Sequence, residues 1–199
     1  HNAHRRQRQM CIRDSYTIEQ SITSGLLSMG LDVLLLGPIP TPGVAMLAKS
    51  MRADLGIMIS ASHNSYLDNG IKIFDKNGNK LSDKIELDLE SLMDSNIEEH
   101  LVSPEKMGRA KRLEDANARY IEFQKNTFPK KLNLEGLKIV LDCANGAAYK
   151  SAPIILWELG AEVISMGVNP NGLNINHECG STHPELSLIH ISEPTRPGI

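Results

Sequence analysis

Two short apolar runs, at residues 32–36 and 55–60, constrain the fold of this chain more than any other feature. Each is rich in Leu, Val, Ile or Met and is too short for a stable helix, which is typical of a strand buried in a parallel sheet. Helical periodicity precedes the first run at residues 17–29 and resumes at residues 44–49, between the two runs. This alternation of helix and strand with short loops predicts an α/β fold.

The connections between these elements contain residues that interrupt regular structure. Residues 37–43 include three prolines and two glycines, so we expect a loop there. The pair Asn77 and Gly78 favours a hairpin turn, because both residues tolerate a positive φ. Charged amphipathic helices are predicted at residues 83–95 and 114–126, the second with three side chains directed inward: Ala116, Tyr120 and Phe123.

A polar stretch at residues 129–136 is typical of a linker, and a second unit of the same kind follows it. Its strand, helix and strand are predicted at residues 137–141, 148–159 and 161–165. We therefore predict a first domain at residues 16–133 and the start of a second domain at residues 134–185.

The two ends of the chain, residues 1–15 and 186–199, lack any periodicity that continues into the neighbouring segments. The genetic code offers one explanation for both. Residues 10–14 can be encoded by atg tgt ata aga gac, and the complementary strand, extended by a few bases, encodes Leu-Ser-Leu-Ile-His-Ile, the sequence of residues 186–191. Both ends resemble a transposase adapter used for sequencing libraries, so we expect translated adapter there. A basic targeting peptide is the alternative, but the apolar segment of a secretory signal does not follow.

The composition of the chain disfavours two classes of binding partner, nucleic acids and membranes. The 199 residues carry a net charge of −3 and 4% aromatic residues, which disfavours nucleic-acid binding. No apolar run approaches the roughly 18 residues that a membrane-spanning helix needs, so we expect no membrane partner. The cysteines, Cys11, Cys143 and Cys179, show no metal-ligand spacing, and we expect reduced thiols in a cytoplasmic protein.

The segment best suited to chemistry is the loop at residues 60–72, directly after the second predicted strand. Loops at the carboxyl ends of strands are where α/β proteins place their ligands. The hydroxyl of Ser62 can accept and return a phosphoryl group, and the charge of Lys72 can stabilise the transferring oxygens. The Asn and Gly residues around them allow a tight turn that presents backbone N–H groups to an anion.

Each of these residues also has an ordinary structural interpretation. A loop serine or histidine, such as Ser62 or His63, most often forms turns or surface hydrogen bonds, and Lys72 alone would be a solvated charge. A serine hydrolase would carry Gly-x-Ser-x-Gly and a nucleotide-binding loop a Walker A motif, and the loop contains neither. The residue types alone therefore allow either phosphoryl chemistry or simple anion binding.

The pattern as a whole resembles the signature of the α-D-phosphohexomutase superfamily. The resemblance is carried by Gly-Ile-Met-Ile-Ser-Ala-Ser-His-Asn at residues 56–64 and by Asp-Asn-Gly-Ile-Lys at residues 68–72. It implies that Ser62 carries the phosphoryl group, that the phosphate of this serine is a ligand of a Mg²⁺ cofactor, and that Lys72 lies in the active site. His63 would then orient the loop or assist proton transfer.

Further features are similar to the phosphoglucosamine mutase branch of that superfamily: Ser60 in place of threonine, and the stretches at residues 141–147, 174–176 and 179–185. This resemblance implies interconversion of glucosamine 6-phosphate and glucosamine 1-phosphate through a phosphoserine and a bisphosphorylated sugar, on the route to UDP-N-acetylglucosamine. The alternatives are a phosphomannomutase or phosphoglucomutase, or a non-catalytic α/β module that binds anions. The loop around Cys143 is interpreted as a turn that closes a β–α unit.

The superfamily implies a mixed, mostly parallel sheet sandwiched by helices, here with an incomplete first domain. Its loops for metal carboxylates, sugar recognition and phosphate binding have no counterpart in this sequence, so we expect the chain alone to be inactive. Ser65 stands where the superfamily has proline, which should make the loop more flexible, although a serine side chain can still form a turn. The sequence does not indicate an oligomeric state.

Overall fold

The computed structural model describes residue 12, residues 14–93 and residues 96–185. The two predicted adapter segments lie outside the described residues, apart from Ile12, Asp14 and Ser15. The described residues form two compact units. The first unit comprises residues 14–60 and 69–120, and the second comprises residues 61–68 and those from 121 onward, together with Ile12. The predicted domain boundary at residues 133–134 stays a prediction.

Helices and strands alternate along both units, so the predicted α/β class is confirmed. The first unit contains α1 (Ser15–Ser28), β1 (Val33–Leu35), α2 (Thr41–Ser50), β2 (Leu55–Ile59), β3 (Ile71–Asp75), α3 (Asp83–Met93), 3₁₀ turns (Ile97–His100 and Pro104–Lys106), β4 (Ala110–Arg112) and the start of α4 (Ala116–Thr127). The second unit contains the end of α4, β5 (Lys138–Asp142), a 3₁₀ turn (Ala147–Tyr149), α5 (Ser151–Glu158) and β6 (Glu162–Met166).

The described strands form three two-stranded sheets, two of them parallel and one antiparallel. β1 pairs with β4 and β5 pairs with β6 in parallel, whereas β2 and β3 are antiparallel, with Leu55 opposite Asp75 and Ile59 opposite Ile71. The expectation that β2 belongs to a parallel arrangement was therefore wrong. The chain returns directly from β2 through residues 60–70, and such a direct return gives antiparallel neighbours, whereas a parallel pair needs a crossover.

α2 begins at Thr41, within the segment predicted to be a loop. That prediction was wrong for residues 41–43, because Pro42 lies in the first turn, where a helix needs no N–H from that residue. Position 43 lies close to neighbouring side chains. A Cβ on Gly43 would lie 2.7 Å from Cγ1 of Ile39 and 3.2 Å from Cδ2 of Tyr120, and both of those residues are buried.

The core of the first unit lies between α2 and the β2–β3 hairpin. The α2 residues Val44 and Ala48 are buried against Gly56, whose absent Cβ would lie 3.2 Å from each of them. Phe74, on the paired strand β3, is also buried. This packing lies near the start of β2 and the end of β3, and the candidate loop connects the other ends of the two strands.

The two predicted amphipathic helices, α3 and α4, differ in how many of their apolar side chains are buried. In α4, Ala116 and Tyr120 are buried as predicted, but Phe123 is 47% exposed, so its predicted inward orientation was wrong. Ile121 is the buried neighbour instead. α3 has the predicted apolar side, but none of its side chains is buried. Among the described residues, no helix combines the length and apolar character needed to cross a membrane.

Candidate active site

The loop at residues 60–70, called the serine loop below, leaves β2 and returns to β3. At its base, the backbone N–H of Ser60 donates to the carbonyl of Gly70 at 2.8 Å, which extends the pairing of the two strands by one step. A Cβ on Gly70 would lie 3.1 Å from the carbonyl oxygen of Ser60, so a small residue suits that position. Residues 60–70 thus connect two paired strands, and this connection contains Ser62 and His63.

Ser62 lies in a tight turn at the start of this loop. The N–H of Asn64 donates to the carbonyl of Ala61 at 3.1 Å, and Ala61 is buried in a cluster with Ile12 and Ile175. Ser62 adopts a left-handed backbone conformation, with a φ of 59°. Such a conformation costs a non-glycine residue about 1 kcal/mol or more and is frequent at functional sites. Ser62 is exposed, whereas the preceding residue, Ala61, is buried.

His63 is the residue that the structure brings to Ser62. Its Nδ1 lies 3.2 Å from the Oγ of Ser62, and which of the two donates depends on the imidazole tautomer. Both side chains are exposed. With Nδ1 unprotonated, the imidazole accepts the hydroxyl proton of Ser62, and with Nδ1 protonated it donates to that oxygen. The pair can therefore move a proton at the serine oxygen.

Ser65, which stands where the superfamily has proline, closes the second half of the turn. Its Oγ accepts a hydrogen bond from the N–H of Leu67 at 3.3 Å, and its carbonyl accepts one from the N–H of Asp68. The prediction that this serine can form a side-chain turn is confirmed. The serine thus keeps the loop compact without the fixed φ of a proline.

Lys72 lies on β3, opposite Met58. It is half-buried, and within the described part of the chain its ammonium group makes no ion pair. Lys72 belongs to the first unit and Ser62 to the second, so the active-site role predicted for Lys72 stays a prediction. Close to it in sequence, Asn69 accepts a hydrogen bond from the hydroxyl of Ser15 at 3.3 Å.

A side chain that the sequence did not single out contacts the serine loop. The amide nitrogen of Asn176 donates to the carbonyl of Ser62 at 3.2 Å and to the carbonyl of Asn64 at 2.7 Å. The sequence signal for this residue was the stretch at residues 174–176, which supported the resemblance without giving Asn176 a role. The two contacts join residues that are separated by 114 and 112 positions in the sequence, and contacts over such a separation leave no periodic pattern in the sequence.

The loop after β5 is a hydrogen-bonded turn. Asp142 accepts hydrogen bonds from the N–H groups of Ala144 at 2.8 Å and Gly180 at 2.6 Å. Burial, assisted by the charge of Asp142, raises the pKa of the Cys143 thiol to about 11. A thiol with that pKa is protonated at neutral pH and is a poor nucleophile, so the interpretation of this loop as a turn fits the structure.

The described residues do not by themselves fit a metal site. Within residues 14–93 and 96–185, no three side chains of His, Cys, Asp or Glu lie close enough together to hold a metal ion. A hard cation such as Mg²⁺ prefers about six oxygen ligands. Ser62 and its phosphate would supply only part of that set.

Comparisons with known proteins extend over most of the chain. Residues 13–100, which include the serine loop, match the family model of phosphoglucomutase/phosphomannomutase, alpha/beta/alpha domain I. The chain is 65% identical over 178 residues to the phosphoglucosamine mutase of Caulobacter vibrioides (strain NA1000 / CB15N). It is 62% identical over 178 residues to the phosphoglucosamine mutase of Parvibaculum lavamentivorans. Each match covers 89% of this chain and 40% of the relative.

A solved structure shows the same fold. A protein from Thermus thermophilus, named as a candidate phosphomannomutase, superimposes with a TM-score of 0.76 at 23% identity. The superposition covers 94% of this chain and 42% of that protein. The chain thus spans about 40% of the length of the curated relatives that it matches. Its residues 13–100 resemble domain I of the phosphoglucomutase/phosphomannomutase family, and over most of its length the chain is similar to the phosphoglucosamine mutases.

Proposed function

We propose that this chain is part of a phosphoglucosamine mutase, which interconverts glucosamine 6-phosphate and glucosamine 1-phosphate through a phosphoserine at Ser62. The observation that carries the proposal is the geometry of Ser62, an exposed hydroxyl on a left-handed turn beside His63. Relatives that are 58–65% identical and are named phosphoglucosamine mutase support the choice of sugar. The substrate is accordingly a small hexosamine phosphate, and we propose a cytoplasmic enzyme.

In the proposed reaction, phosphorylated Ser62 transfers its phosphoryl group to O1 or O6 of the hexosamine monophosphate. The bond between the serine Oγ and phosphorus breaks, a bond between phosphorus and the sugar oxygen forms, and the proton of the sugar hydroxyl ends on the serine Oγ. The bisphosphorylated sugar then reorients and returns its other phosphoryl group to Ser62. An exposed serine suits this cycle, because it must meet the sugar in two orientations.

His63 and Lys72 have supporting roles in this proposal. His63, at 3.2 Å from the serine Oγ, supplies a proton to that oxygen when the phosphoryl group leaves and removes it on return. Lys72 stabilises the charge on the transferring phosphoryl oxygens, as the resemblance implies. Its ammonium has no carboxylate partner among the described residues, which leaves the charge available for an anion.

We further propose that the enzyme uses Mg²⁺, which would neutralise charge on the phosphoryl group, with the phosphate of Ser62 as one ligand. The described residues lack the cluster of carboxylates that would complete such a site. No step of the reaction is therefore assigned to the metal on the basis of this chain. For the same reason we expect the 199-residue chain alone to lack mutase activity.

The test uses a hybrid enzyme, in which residues 16–185 of this chain replace the matching part of the Caulobacter vibrioides phosphoglucosamine mutase. We expect the hybrid to convert glucosamine 6-phosphate and to carry one phosphate at Ser62, located by peptide mass spectrometry. Ser62→Ala should lower kcat by more than about 10³-fold, as loss of a nucleophile does. Ser65→Ala, in the same loop, is the matched control and should retain both the phosphate and most of the activity.

Each other outcome of this test has a definite meaning. An active hybrid without phosphate at Ser62 would overturn the proposed mechanism. Preference for mannose or glucose phosphates would favour the alternative sugar assignment, and a folded hybrid that binds phosphate without turnover would favour the anion-binding module. Mutase activity of the isolated 199-residue chain would contradict the expectation that the chain is incomplete.

A further inference from the structure

The loop that follows β6 places one side chain against the backbone of the serine loop. The Nδ2 group of Asn176 donates to two carbonyls, that of Ser62 at 3.2 Å and that of Asn64 at 2.7 Å. These carbonyls lie on either side of His63. One amide group therefore bridges the turn that carries both Ser62 and His63.

Asn176 is itself held from β5. Its backbone N–H donates to the carbonyl of Ala144 at 2.9 Å, just beyond the end of β5, and its φ is 55°, a left-handed conformation that asparagine tolerates well. The preceding residue, Ile175, is buried in one cluster with Ala61, the first residue of the tight turn. The backbone of Asn176 is thus hydrogen-bonded to Ala144, and the residue before it packs in one cluster with Ala61 of the serine loop.

The neighbouring Asn174 shows what a purely local role looks like. Its amide donates to the carbonyl of Asn169 at 3.1 Å, and its oxygen accepts from the N–H of Asn171 at 2.9 Å. Both of these side-chain contacts are within its own loop. The amide contacts of Asn176, by contrast, are both to the serine loop.

We propose that Asn176 is a positioning residue for the nucleophile, which acts by holding the carbonyls of Ser62 and Asn64 in the left-handed turn. A left-handed serine is unfavourable in isolation, so the turn needs partners that stabilise it. Asn176 supplies two hydrogen bonds to that turn, and both are made to backbone carbonyls rather than to the reacting hydroxyl. Its effect on phosphoryl transfer rests on the proposed function, whereas its effect on the turn does not.

The first experiment measures the turn in the 199-residue chain. Asn176→Asp keeps the shape and the tolerance for positive φ but cannot donate when ionised, and Asn176→Gly keeps the backbone freedom without any side chain. Hydrogen exchange at the Asn64 amide, followed by NMR, should become at least about threefold faster in both variants. Asn174→Asp is the control and should leave the exchange at Asn64 unchanged.

The second experiment uses the active hybrid enzyme. Because a misplaced nucleophile lowers the rate of the chemical step, both Asn176 variants should lower kcat about tenfold to a hundredfold and change KM by less than about threefold. Unchanged exchange at Asn64, or equal acceleration by Asn174→Asp, would overturn the proposal. Faster exchange with unchanged kcat would also overturn the positioning role. If the unsubstituted hybrid has no mutase activity, the proposed function fails, and the exchange measurement still decides whether Asn176 holds the turn.

Discussion

The hydroxyl oxygen of Ser62 lies 3.2 Å from Nδ1 of His63, its immediate neighbour in the chain. Ser62 adopts a left-handed backbone conformation, and its side chain contacts that of the adjacent residue. The contact places a group that can donate or accept a proton beside the oxygen that is proposed to carry the phosphoryl group. It also makes the role of His63 testable separately from that of Ser62.

Replacement of His63 by asparagine should separate orientation from proton transfer. Asparagine places a polar atom close to the position of Nδ1, so it can keep the hydrogen bond to Ser62, but it cannot exchange a proton in the working pH range. We expect His63→Asn to lower kcat of the hybrid about 10²-fold, within the usual range for loss of a general acid or base. KM should change less than about threefold.

The control for this variant is His100→Asn, in the 3₁₀ turn Ile97–His100 of the first unit. It should leave both kinetic constants unchanged. If His63→Asn were as active as the unsubstituted hybrid while His63→Ala was impaired, His63 would orient the loop without transferring a proton.

Restoring proline at position 65 should stabilise the serine loop. In the structure, Ser65 contributes its side-chain oxygen to a turn with Leu67, a weak contact at 3.3 Å. Proline would remove this contact but would reduce the freedom of the unfolded loop, a change worth about 0.4–1 kcal/mol where the backbone is compatible. We expect Ser65→Pro to raise kcat of the hybrid about twofold to fivefold and to slow exchange at the Asn64 amide.

Ser65→Ala serves as the comparison for the proline variant, since it removes the side-chain oxygen without restricting φ. It should accelerate exchange at Asn64 modestly. A lower kcat for Ser65→Pro than for Ser65→Ala would show that the backbone at this position is incompatible with proline and that the serine is accommodated by a different loop conformation.

The sequence predicted local elements well where the signal lay within a few residues. The turn at Asn77 and Gly78 forms as expected, with Gly78 at a φ of 82° and the carboxylate of Asp75 accepting from the N–H of Asn77 at 2.9 Å. The direction of β2 was predicted wrongly, because an apolar run has the same composition in parallel and antiparallel pairs. Pairing partners such as β4 depend on distant residues, which a local pattern does not contain.

The same distinction applies to the candidate site. Ser62 and His63 were predicted from a contiguous motif, and their contact lies within that motif. Asn176 was not assigned, because its two hydrogen bonds join segments more than 100 residues apart. Phe123 was placed inward on helical periodicity, which identifies an apolar side of a helix but not whether another element covers it. The motif could therefore be recognised from the sequence, whereas the long-range contacts that support it could not.

Two glycines in helices should respond oppositely to alanine. A Cβ on Gly25, in α1, meets no atom within 4 Å, whereas a Cβ on Gly43, in α2, would lie 2.7 Å from the buried side chain of Ile39. Gly25→Ala should raise the free energy of unfolding by about 0.5–1 kcal/mol through backbone entropy. The free energy of unfolding of Gly43→Ala should be about 1–3 kcal/mol below that of Gly25→Ala, because overpacking usually costs that much.

Urea denaturation of the 199-residue chain, followed by circular dichroism, measures both glycine variants. Equal stabilisation by the two substitutions would mean that Ile39 can move aside, and that the close approach of α2 to Ile39 does not require glycine at position 43.

The buried thiol of Cys143 predicts a specific dependence of stability on pH. Burial, with the charge of Asp142, raises the pKa of this thiol from 9.0 to about 11 in the folded chain. Between those values the unfolded state releases a proton that the folded state retains. The contribution of Cys143 to the free energy of unfolding is therefore fully present below about pH 9 and is lost as the pH rises toward about 11.

Cys143→Ser isolates this contribution, because serine has nearly the same shape and does not titrate in this range. The difference in free energy of unfolding between the unsubstituted chain and Cys143→Ser should be constant near neutral pH and should shift in favour of the variant above about pH 9. Urea titrations at a series of pH values measure that difference directly, and the other titrating groups cancel in it. A difference that stays constant up to about pH 11 would show that the thiol ionises equally in both states, and that Cys143 is more accessible to water than its packing beside β5 indicates.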